Sequence, residues 1–81
     1  MVSPVQTPAW VAADAAALEN DQQTILADMA GASPKQQADG WKLYDHIGTE
    51  LKYLEAGKLT EGQAATLLSA IREKIHDIFG K

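Results

Sequence analysis

The chain contains no cysteine. That absence removes disulfide staples, thiolate-bound zinc and thiol nucleophiles together. It agrees with a reducing compartment without requiring one. Long apolar runs are missing too, since no stretch approaches the ~20 consecutive apolar residues of a membrane-crossing helix. The opening residues, Met1-Val2-Ser3-Pro4-Val5-Gln6, have neither a basic start nor an apolar run, so they do not read as a secretory signal. Positive charge is scarce in the first half. Before Trp41, Lys35 is the only base and faces Asp14, Glu19, Asp21, Asp28 and Asp39. A basic stripe able to displace counterions from nucleic acid is therefore absent, and direct nucleic-acid binding is not expected. The composition points to a soluble, cytoplasmic protein that needs no cofactor.

From Trp41 onward acids and bases balance, with Lys42, Lys52, Lys58, Arg72, Lys74 and Lys81 matching Asp45, Glu50, Glu55, Glu61, Glu73 and Asp77. The net charge of −4 thus belongs to the first half of the chain, and a basic partner would be drawn to it. Eighty-one residues provide one core and no second. A domain of this size is marginal alone and gains from a partner or a second copy.

Glycine supplies the punctuation. Gly31, Gly57 and Gly80 each close a stretch that opens with a good helix start. The spacing predicts an all-α fold, a small antiparallel three-helix bundle with helices at about 8–30, 34–56 and 61–79. A flexible amino-terminal arm, 1–7, precedes a single domain, 8–81. Thr7 and Pro8 are expected to start the first helix, and Ser33 and Pro34 the second. Thr60 and Gln63 have the spacing of a capping box for the third.

Phasing each helix between its ends assigns its faces. In the first, Val11, Leu18, Ile25 and Met29 form a thin apolar row with Leu26 beside it, and most of the remainder is alanine. That thinness leaves open a first helix that splays away and dimerises. In the second, the expected core is Leu43, Tyr44, Ile47, Leu51 and Leu54. Gly40 is expected to mark the start of its stable part, and Gly48 to admit a neighbouring helix. In the third, Ala64, Leu68, Ile71, Ile75 and Ile78 alternate spacings of four and three, widened by Leu67.

Chemistry finds few footholds. His46 and His76 fall on different helices and off both core faces. Their neighbours Asp45 and Asp77 point about 100° away on a helix, so neither pair is a ready-made dyad. Small bundles rarely provide the concave site that catalysis needs. His46 with Glu50, or His76 with Glu73, has spacing compatible with a metal ion. Two surface side chains alone make a weak site, and no metal is expected. His46 is exposed enough for phosphotransfer, but its surroundings, Ile47-Gly48-Thr49-Glu50, carry no phosphotransfer motif. No serine stands in an Asp-Ser-Leu context that would hold a phosphopantetheine arm.

Two faces remain. Asp14, Asp21 and Asp28 recur every seven residues and form an acidic stripe beside the core face, with Trp10 at its upper end. Trp41, His46 and Tyr53 mark the outer side of the second helix. The leading expectation is a non-enzymatic inhibitor, adaptor or regulatory subunit. It would dock one helical face on a larger protein, a basic or nucleic-acid-binding partner among the candidates. Phage-encoded inhibitors, immunity proteins and antitoxins include acidic helical proteins of this size, an analogy of size and charge alone. The alternative is a self-associating helical component, a homodimer by default. A histidine-based metal or phosphotransfer protein is the distant third.

Overall fold

A computed structural model describes residues 8–80. It is a three-helix bundle, α1 (Ala9–Met29), α2 (Pro34–Glu55) and α3 (Glu61–Phe79), with no strand among the described residues. The expected arm, residues 1–7, and the expected cap Thr7 lie outside the described residues. Pro8 is the N-cap of α1, so the helix begins one residue later than its sequence suggests.

Local chemistry accounts for the ends. Ser33 Oγ accepts from the Gln36 amide at 3.2 Å while the Ser33 amide donates to Gln36 Oε1 at 3.0 Å. Thr60 and Gln63 repeat the exchange at the start of α3. Each pair satisfies amides that the first helical turn leaves without partners. Gly31, Gly57 and Gly80 sit at φ of 76°, 75° and 72°, the left-handed region where a Cβ is penalised. At α3 the left-handed Gly80 is itself the C-cap and at α2 Gly57 follows the cap Ala56, whereas α1 is already left at Ala30, which is extended, before Gly31 turns the chain. By contrast, α1 has no side-chain cap, no acid in its first turn and no base in its last.

The second helix runs opposite to the other two. Its first turns reach the carboxyl ends of both. Gln36 Nε2 donates to the Ile78 carbonyl at 3.1 Å, and Gln37 Nε2 donates to the Met29 carbonyl at 3.2 Å. These carbonyls belong to last turns, where no helical amide is available. The same level explains Gly40. A Cβ built there would stand 2.9 Å from Met29 Cγ and Sδ and 3.0 Å from Phe79 Cζ. Three helices converge on that glycine, so it marks a contact within α2 and not the start of its stable part. Close approach was expected at Gly48 instead, but a Cβ there meets only Gln22 Nε2, at an ordinary 3.6 Å.

Leu18, Ile25, Ile47, Leu54 and Ile71 are the large side chains fully removed from water. Val11, Met29, Leu43, Ala64 and Ile75 complete the core. Tyr44, Leu51, Leu68 and Ile78 are half-buried around it and not within it. The first helix does not splay. It packs on both α2 and α3, and those two touch each other least.

Candidate functional site

Two side chains fix the orientation of α1. Gln22 Nε2 donates to the Tyr44 carbonyl at 3.2 Å, so that side of the helix faces α2. Asp21, about 100° around the helix from Gln22, feels the charge of Arg72 on α3. Asp14, Asp21 and Asp28 therefore run along the α1/α3 seam. They follow Val11, Leu18 and Ile25 by three residues each, which makes them the second row of the same seven-residue repeat.

The depth of this stripe differs from the expectation. Asp14 and Asp28 are half-buried, but Asp21 is only 9% exposed and counts among the residues the helix buries. Its Oδ2 accepts no hydrogen bond. Desolvation pushes the Asp21 carboxyl above the ordinary aspartate range, and the Arg72 guanidinium offsets part of that rise. The stripe is therefore not a solvated row beside the core. Its middle member is inside. Trp10, at the upper end, is half-buried and packs against the core cluster.

Trp41, His46 and Tyr53 of the second expected face are all exposed. Trp41 is 52% exposed and stands edge-on to Tyr44, with ring centroids 5.5 Å apart. Tyr53 is 44% exposed, with Lys58 Nζ 5.6 Å from its ring centre in a cation–π contact. Twelve residues of helix, about 18 Å, separate the two. His46 is exposed on the same side of α2 as Tyr53, two turns before it, and lines a groove between α2 and α3.

That groove was not singled out from the sequence. Asp39, Lys42, Leu43, His46, Lys74 and Ile78 line a volume of about 480 Å³, and no residue of α1 takes part. A helix-by-helix phase places Lys42 and Lys74 on outer flanks and has no means of bringing them to one opening. Their neighbourhood disfavours a cation at His46, since two lysine side chains line the groove. Among the described residues no three histidine or carboxylate side chains converge as metal ligands, and no helix is long and apolar enough to cross a membrane.

Comparison with protein-family models, with curated proteins and with solved structures gives no match.

Proposed function

We propose that this chain is a non-enzymatic interaction protein of the cytoplasm, an inhibitor, adaptor or regulatory subunit. In this reading its α1/α3 seam docks on a basic surface of a larger protein. Asp21 carries the reading. A buried carboxylate oxygen without a hydrogen bond costs stability, and a bundle this small has little to spare. A side chain that is costly in the isolated fold is the kind retained for use in a complex. Asp14 and Asp28 border it, Trp10 lies at the end of the row, and α1 contains no base. A partner's guanidinium or ammonium at the seam would meet Asp14 at its edge, α1 itself supplying no base, while Arg72 of α3 already bears on Asp21. The field of such a helix also speeds encounter with a basic surface, and tryptophan is a strong anchor at interfaces.

The test is capture of binding proteins from the native host on immobilised wild-type chain and on the Asp14→Asn/Asp28→Asn double variant. Circular dichroism verifies that the variant keeps its helices. At least tenfold less captured partner on the variant, with release by moderate salt, is the expected outcome. Equal capture by both would remove the α1/α3 seam from the reading. Self-association is the second reading, favoured by the exposure of Trp41 and Tyr53. Light scattering that finds only monomer at micromolar concentration would eliminate it.

A further inference from the structure

The groove between α2 and α3 occupies the loosest seam of the bundle. Its aliphatic surface comes mainly from the half-buried Ile78, with the core residue Leu43 beneath it as the floor. Its charged members are Lys42 on one wall and Lys74 on the other, with His46 one turn along from Lys42. The single acid, Asp39, is already bridged by Lys35 at 3.4 Å. A chain of net charge −4 therefore carries, at this opening, a local charge of the opposite sign.

Size and chemistry narrow the occupant. The groove is open to solvent, and its volume of about 480 Å³ has room for a small molecule lying along it. From Asp39 to His46 the groove follows only about 10 Å of helix, too short to seat a partner helix along its length. Two ammonium groups exclude a cation. Aliphatic surface between them favours an anion with an apolar body over an inorganic ion, because burying apolar area adds to the charge interaction. We propose that the α2/α3 groove binds a small amphipathic carboxylate, with its tail on Leu43 and Ile78 and its carboxylate between Lys42 and Lys74. The site is separate from the α1/α3 seam and does not depend on what docks there.

The experiment titrates isotope-labelled full chain with octanoate and follows the methyl signals of Leu43 and Ile78, the His46 ring and the Trp10 indole. Octanol, octylammonium and inorganic phosphate serve as parallel probes. Saturable shifts at the groove signals with none at Trp10 are expected. Octanol and octylammonium should bind at least tenfold more weakly than octanoate, and phosphate should not saturate the site. The K42Q/K74Q variant should weaken octanoate at least tenfold. Both lysines are exposed, so its helicity should be unchanged, and each lysine replaced alone should give a partial loss. Absence of saturation by octanoate, equal binding of octanol, saturation by phosphate, or unchanged affinity in K42Q/K74Q would each overturn the proposal.

Discussion

At the scale of the residue, Asp21 is the most consequential side chain in the described structure. Its carboxylate is taken out of water, one oxygen lacks a hydrogen bond, and Arg72 compensates only in part. The folded-state pKa is therefore raised above the unfolded one, so between the two the folded state holds the proton more tightly. The penalty is complete above the raised pKa and shrinks as pH falls through it. The Asp21→Leu variant should be more stable than wild type at pH 7 by about 1–2 kcal/mol, since it removes the desolvated charge and extends an apolar row. Asp21→Asn should gain less. Thermal unfolding from pH 7 down to pH 4 checks both size and sign. The difference in Tm between Asp21→Asn and wild type should narrow as the solution becomes acidic. Asp14 and Asp28 are half-buried as residues, but Asp28 Oδ2 is removed from water like Asp21 Oδ2, so Asp14 is the member of the stripe most within reach of a partner. The seven-residue recurrence of the acids was plain in the sequence. Their depth was not, because a three-residue offset from the core row is equally a flank and a seam until the neighbouring helix is in place.

At the scale of the element, the ends of α2 and α3 were legible and the contacts along α2 were not. Capping is local. Ser33 with Gln36 and Thr60 with Gln63 act across three residues, and the left-handed glycines need only their own backbone. The bounds of α3 accordingly coincide with the expected 61–79. The two interior glycines of α2 depend on other helices. Gly48 faces an ordinary contact, so Gly48→Ala should stabilise the protein by up to about 1 kcal/mol through helix propensity alone. At Gly40 the same gain is opposed by Met29 and Phe79, and the larger Gly40→Val should cost about 1–3 kcal/mol by overpacking. Urea midpoints of the two variants should move in opposite directions. Gln36 adds a role that its capping position only half suggests, since one side chain both accepts at the start of α2 and donates to the end of α3.

At the scale of the whole molecule, the helix with the thinnest apolar row turns out to be the one that contacts both others most. Leu18 and Ile25 of α1 are as completely buried as Ile47 of α2 and Ile71 of α3, so all three helices share one core. Truncation at its centre should weaken the entire bundle. Ile47→Ala is expected to lower stability by about 2–4 kcal/mol, with a single urea transition by both far-UV circular dichroism and tryptophan fluorescence. Separate transitions would mean that one helix opens independently. The looseness lies between α2 and α3 and accounts for the groove that gathers Lys42, His46 and Lys74. The helix type, the caps of α2 and α3, the antiparallel course and the concentration of acid in α1 were legible in the chain alone, because these rest on spacing, propensity and short loops. Only the tertiary structure decided that Asp21 lies inside, that Gly40 and not Gly48 is the point of close approach, and that two distant lysines share one opening. Each of those depends on the rotation of one helix against another, which the core side chains of all three helices set together.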